Sequence, residues 1–363
     1  MIPVYEPSLT GNEKKYVNDC LDTGWISSKG KYNGLFAEEF AKYIGVKYGT
    51  TAGNGTLALH LALLALGVGK GDEVIVPSFT YVASANVVRH TGADVVFADS
   101  LEDSWQLDPN DIEHRINERT KAIIAVHLYG HPCEMDKIMA IANKHRIFVV
   151  EDCAEAIGSE YHGKKVGSFG HISAFSFFGN KTMTCGEGGM VVTNDKTLIE
   201  RANHFKDQGL AEHREYWHDI VGYNYRMTNI AAAIGLAQLE QVENFIKRKI
   251  EIAERYYQNL KDLPLKMHRP VGNVRHTYWM VSFICDNIED RDGIRELLKE
   301  KGVETRPTFY PVHTMPMYSE KYQSLPVAEK LGWSGMNLPS FPRLANEQID
   351  YICNCIRLYF NEK

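Results

Sequence analysis

Lys181 stands between a hydroxyl-rich aromatic run, Ser173-Ala174-Phe175-Ser176-Phe177-Phe178, and a glycine turn, Gly186-Glu187-Gly188-Gly189. A lysine in apolar surroundings loses basicity through desolvation, and its free amine can then form a Schiff base with a carbonyl. Upstream, the apolar run Ile147-Phe148-Val149-Val150 ends in Glu151-Asp152-Cys153-Ala154-Glu155. Acids at such a strand end either cap the next helix or face a ligand, and in the second case Asp152 would pair with a cationic ring nitrogen. Asn54-Gly55-Thr56 opens the apolar stretch 57–66, where free backbone N–H groups and the helix dipole would favour a phosphate. Thr56 as a simple N-cap is the alternative there. Tyr81 follows a β-run and offers a ring for stacking. His127, with His131 and Cys133 close by, follows another. A hydrogen-bonded or ligand-adjacent histidine fits that position better than a metal ligand, so no metal site is expected.

Positioning these groups takes a sheet. β-rich runs at residues 73–76, 94–97, 122–126, 147–151, 172–177 and 190–193 alternate with helical stretches, which predicts a mostly parallel sheet covered by helices. Ligands in such folds bind beyond the carboxyl ends of the strands, where the polar residues above lie. Apolar residues at helical spacing from Ile234 through Leu239, Val242, Phe245 and Ile250 to Leu260 predict a long linking helix. A second β/α region follows, with strands around 277–284 and 303–306, a helix around 291–301 and a terminal helix from Asn346.

Composition narrows the classes. The chain has 363 residues, 44% of them apolar and 24% charged, enough for one or two packed domains. A net charge of −6 without a basic block argues against nucleic acid or an anionic membrane as partner. The stretch 57–68 is shorter than the ~20 apolar residues a membrane helix needs, and the first residues lack a basic region followed by an apolar one, so a cytoplasmic protein is expected. Seven scattered cysteines, with Cys153 and Cys185 inside the segments above, read as reduced core thiols. Gly67-Val68-Gly69-Lys70-Gly71-Asp72 superficially suggests a nicotinamide dinucleotide loop, but it follows a helix and precedes a strand, the reverse of the required order.

Asn54-Gly55-Thr56, Glu151 to Glu155, Ser176 to Lys181, Gly186 to Gly189 and Asn224-Tyr225-Arg226-Met227-Thr228-Asn229 resemble the motifs of the DegT/DnrJ/EryC1/StrS sugar aminotransferases, over essentially the whole chain. The resemblance implies an α/β, fold-type I architecture dependent on pyridoxal 5′-phosphate (PLP). It would have a mixed, mostly parallel seven-stranded sheet between helices, a large domain with an N-terminal arm over residues 1–245, and a smaller C-terminal α/β domain over 246–363. It implies further that Lys181 forms the Schiff base and shuttles the proton as PLP passes through its pyridoxamine form. Asp152 would hold the pyridine nitrogen protonated, Tyr81 would stack on the ring, and Gly55, Thr56 and Ser176 would hold the phosphate. Glu155 would stand beside the ring hydroxyl, where many relatives carry Gln. Asn229 would reach the phosphate of a neighbouring subunit, making a homodimer with shared sites.

Segments 24–30, 216–229 and 306–316 are similar to those of family members that transfer the amino group of L-glutamate to a GDP-linked 4-keto-6-deoxy sugar for surface polysaccharide such as O-antigen. By motif position Trp25, Ser27, Lys29, Tyr310 and His313 would touch the sugar or its diphosphate. A UDP- or dTDP-linked sugar is the alternative. A PLP-dependent sugar dehydratase is a more distant one, because the resembling dehydratases carry histidine where Lys181 stands.

Overall fold

Seven strands build the larger sheet: β1 (Tyr48–Ala52), β2 (Glu73–Pro77), β3 (Asp94–Ala98), β4 (Thr120–Val126), β5 (Phe148–Asp152), β8 (Ile172–Ser176) and β9 (Gly189–Thr193). Their order is β1-β9-β8-β5-β4-β2-β3. The pairs from β3 to β8 are parallel, and β9 runs antiparallel to both β8 and β1. The structure is a computed structural model that describes residues 1–319 and 323–362. β2, β8 and β9 are buried at every position, as expected of strands covered on both faces, and this is why their sequences show no alternation of apolar and charged residues. β1 was not expected; its sequence, Tyr-Gly-Thr-Thr-Ala, has no apolar run, and it is recruited at the sheet edge by pairing along the whole of β9.

A second sheet of order β10-β12-β14-β13 joins β10 (Leu265–Met267), β12 (Val281–Cys285), β13 (Arg306–Pro307) and β14 (Gly335–Leu338). A small third one joins β6 (Glu160–Tyr161), β7 (Lys164–Lys165) and β11 (Val274–Arg275). The helix Gly55–Leu66 is apolar nearly all round and lies buried against β8 and β9, with Leu61 and Leu63 fully inaccessible. Burying each such leucine contributes roughly 1.5–3 kcal/mol.

The long linking helix is in fact two. Asn229–Leu239 packs on the helices Glu13–Thr23 and Lys31–Ile44, and Val242–Leu260 packs on the terminal helix Asn346–Glu362, with the break at Glu240 and Gln241. Helical periodicity reports that each turn has an apolar face, not that successive faces point the same way. The expected domain division at 245/246 falls within the second of these helices. Residues 277–280, expected as strand, leave the sheet to hydrogen-bond the loop after β4: Thr277 N donates to Gly130 O and Trp279 N to Tyr129 O. Val303 makes only an isolated bridge to Ile2, and the strand there is Arg306–Pro307.

Candidate active site

The carboxyl ends of β2, β5 and β8 and the start of the Gly55–Leu66 helix open on one cavity of about 420 Å³. Gly55, Thr56, Tyr81, Asp152, Glu155, Ser176 and Lys181 all line it. A side chain at position 55 could not be accommodated, since a Cβ there would lie 2.6 Å from the Ser176 Cβ. The helix start thus meets the Ser176 hydroxyl directly, with free N–H groups beside a hydroxyl donor. The N-cap is Asn54, whose Oδ1 accepts from Leu57 N at 3.0 Å, and not Thr56, which instead lines the cavity.

Asp152 ends β5 almost wholly buried. Burial raises its carboxyl above the usual range, opposed by a 2.7 Å hydrogen bond from Ser84 Oγ and one of 3.1 Å from Ala154 N. With one donor per oxygen it keeps acceptor capacity toward the cavity. Lys181 Nζ lies 3.6 Å from Glu155 Oε1 and 3.9 Å from the centre of the Trp279 ring. Burial lowers its basicity, with Glu155 and Asp152 opposing. Glu155 is pushed up to about 7 by burial, against the pull of Lys181 and a 2.9 Å hydrogen bond from Tyr129 N.

The turn carrying the lysine is fixed from outside. Trp279 Nε1 donates to Asn180 O at 2.7 Å, and the Tyr5 hydroxyl donates to the next carbonyl, that of Lys181. Trp279, Phe309, Arg306 and Asn337 form a wall contributed by the second sheet and its connections, which sequence patterns had not singled out for the site. Phe309 stacks on Tyr129, with ring centres 5.4 Å apart, and its N–H donates to the Tyr129 hydroxyl at 2.9 Å.

Six expected contacts lie elsewhere. Asn229, Trp25 and Lys29 share a separate surface depression, and there the Asn229 side chain accepts from Tyr32 N at 3.0 Å and donates to Trp25 O at 2.7 Å within its own chain. Ser27 adjoins it, its carbonyl accepting from Asn229 N. His313 is buried, its ring bound to Ser78 Oγ at 2.6 Å and Glu329 at 3.3 Å. Tyr310 packs on Trp333.

His127, Glu151 and Cys153 cluster in the core, but their hydrogen bonds are internal. The Cys133 N–H donates to His127 Nδ1, which leaves the ring proton on Nε2, 3.0 Å from Glu151 Oε2. Burial pushes the Cys153 thiol up to about 12, and all seven cysteines are free and buried.

The residues of the cavity fit PLP. It needs donors for a dianionic phosphate, an acid for a ring nitrogen and an amine of lowered basicity for an aldehyde, and the helix start with Ser176, Asp152 and Lys181 supply these in turn. Asn180 Oδ1, in the lining, is buried without a hydrogen-bond partner.

Residues 7–357 match the DegT/DnrJ/EryC1/StrS aminotransferase family profile. The chain is 61% identical over 362 residues to the GDP-perosamine synthase of Escherichia coli O157:H7, covering 100% of this chain and 99% of that one. Among solved structures, S. venezuelae DesV in complex with a ketimine intermediate superposes with a TM-score of 0.91 at 33% identity, over 96% of this chain and 94% of that one. A chain described as a sugar aminotransferase of Streptococcus pneumoniae, in its PLP-form, gives 0.93 at 27% identity, over 99% and 98%. With its catalytic-type lysine, acid and helix start in one cavity and its whole length matched, the protein belongs to the DegT/DnrJ/EryC1/StrS aminotransferase family, enzymes of the transaminase class.

Proposed function

We propose that the protein transfers the amino group of L-glutamate to C4 of GDP-4-keto-6-deoxy-D-mannose, forming GDP-perosamine for a surface polysaccharide such as O-antigen. The observation that carries this reading is the buried Lys181 amine facing Glu155 in the cavity that Asp152 and the Gly55–Leu66 helix also line. The named E. coli relative supports the choice of substrate.

PLP, when bound, supplies an electrophilic carbonyl and an electron sink. Gly55, Thr56 and Ser176 would hold its phosphate through the helix N–H groups and the Ser176 hydroxyl. Asp152, anchored by Ser84, would hold a proton on the ring nitrogen. Tyr81, in the cavity lining, would offer its own ring for stacking. Lys181 Nζ, its basicity lowered by burial, would be the amine that holds the cofactor and, when free of it, the base that moves a proton at the substrate carbon. The same groups run the second half-reaction on the sugar, so the kinetics are ping-pong. Trp25 and Lys29 border a surface depression, with Asn229 buried at its base, that a second copy would cover in a homodimer sharing its sites, and the division into domains of 1–245 and 246–363 is part of the same reading.

The test is the near-ultraviolet absorbance of PLP-loaded protein. Glutamate should abolish the Schiff-base band and GDP-4-keto-6-deoxymannose should restore it. A response to glutamate followed by restoration only with a UDP- or dTDP-linked sugar would change the substrate, and no response to glutamate would defeat the reading. Lys181→Ala should show no catalytic turnover; substantial retained transamination would also defeat it.

A further inference from the structure

Both substrates of the proposed reaction are anions, a dicarboxylate donor and a sugar carrying a diphosphate, yet the cavity itself is rich in acids. Asp152, Glu155 and Glu187 line it, and its cations among the described residues are Lys181 and Arg306. Lys181 is committed to the cofactor, and a bound phosphate adds further negative charge near Ser176. A substrate's anionic end therefore has one cation of this chain left to meet.

Arg306 sits on β13 at the cavity wall with its side chain about half exposed. Its ion pair with Glu304, at 3.4 Å and open to solvent, is weak enough to be exchanged for a ligand. The backbone that carries it is not free to wander. Asn337 Nδ2 donates to Pro307 O at 3.0 Å, Arg306 pairs with Asn337 in the sheet, and two residues beyond Pro307 the Phe309 ring is locked into the stack with Tyr129 and Trp279. That stack is continuous with the clamp on the lysine turn, because Trp279 also holds Asn180 O. The guanidinium is thus carried by the same rigid wall that positions the reacting amine, and its planar fork suits carboxylate and phosphate equally.

We infer that Arg306 is the cavity's anchor for the anionic end of the substrate, the carboxylate of the amino donor or the diphosphate of the nucleotide sugar. The inference rests on the aminotransferase reading above. Arg306→Gln and Arg306→Lys are compared with the wild type by varying each substrate separately, since ping-pong kinetics give each its own KM. Arg306→Gln should raise at least one KM by about 10- to 100-fold, the scale of one charge-assisted bidentate pair, with kcat changed far less, and Arg306→Lys should recover part of the loss. A rise for the donor alone assigns the carboxylate, for the nucleotide sugar alone the diphosphate, and for both a shared anchor. Both KM values staying within about twofold of the wild type would overturn the inference and point to cations of the second subunit, and so would a fall in kcat with both KM values unchanged.

A readout without turnover is calorimetric titration of GDP and of glutarate into Lys181→Ala protein with and without Arg306→Gln. Weakened binding of either probe supports the anchor; equal binding of both overturns it. An inert wild type would sink the aminotransferase reading instead, and the titrations would still decide whether Arg306 binds anions.

Discussion

Glu151 and Asp152 are consecutive residues of β5, both essentially buried, and they face opposite ways across the sheet. On one face, Glu151 accepts from Gly167 N and Phe169 N at 2.7 Å, Gly170 N at 2.6 Å and His127 Nε2 at 3.0 Å. Burial works to raise its carboxyl, but the hydrogen bond from His127 and the N–H groups of Gly170 and Gly167 outweigh it and hold the group below the usual range. On the other face, Asp152 has two donors, opens on the cavity and is held above that range by burial. The same functional group, one residue apart, is saturated where it staples a loop and left short of partners where a ligand would complete it. Incomplete satisfaction of a buried charge is therefore the better pointer to a site than burial or acidity alone.

If that contrast is sound, the two acids separate under mutation. Asp152→Asn should lower kcat by about 10³-fold, the scale of losing one preorganised electrostatic group, while stability of the cofactor-free protein stays the same or rises. Measured kcat beside urea unfolding checks this, and a folded, fully active variant would erase the distinction between the two faces. Glu151→Gln should do the reverse. It turns an acceptor toward backbone N–H groups into a donor, costing about 3–5 kcal/mol of unfolding free energy, whereas kcat per mole of bound cofactor should stay within a few-fold of the wild type. Intact stability would mean that the 167–170 loop is held by something other than Glu151.

The two faces were not equally legible in the sequence. Asp152, Ser176 and the Gly55-Thr56 pair could be found because each sits at the end of a buried strand or the start of a buried helix, where polarity breaks an apolar run, and Lys181 because it stands in the turn that follows such a strand. The opposite wall gives no such signal. Trp279 lies in a stretch that reads as strand but departs from it to bond Tyr129, and Arg306 and Phe309 arrive through a second sheet whose distance from the first no local pattern encodes. Motif position singled out Tyr310 and His313 in that same segment, but the chain turns their neighbours, Arg306 and Phe309, toward the cavity. β1 stayed hidden for a related reason, since an edge strand need not be apolar.

Glu155 sharpens the comparison because it shares the Asp152 side yet has a second charge beside it. Its carboxyl stands at about 7 in the folded protein against an ordinary value of 4.5, raised by burial with Lys181 opposing. A folded-state value above the unfolded one means that the folded protein keeps a proton the unfolded chain has already released. The associated stability is full below pH 4.5 and is lost as the pH rises through 7. Relative to Glu155→Gln, which cannot titrate, the cofactor-free wild type should therefore lose about 2 kcal/mol of unfolding free energy between pH 5 and pH 8. Titrations common to both proteins cancel in the difference. A difference that stays flat across this range would show that Lys181 compensates Glu155 fully, making the pair a fixed ion pair rather than a carboxyl poised to exchange its proton beside the amine. A wild type that instead loses stability relative to Glu155→Gln as the pH falls from 5 toward 3 would place the folded value below 4.5 and move Glu155 into the company of Glu151.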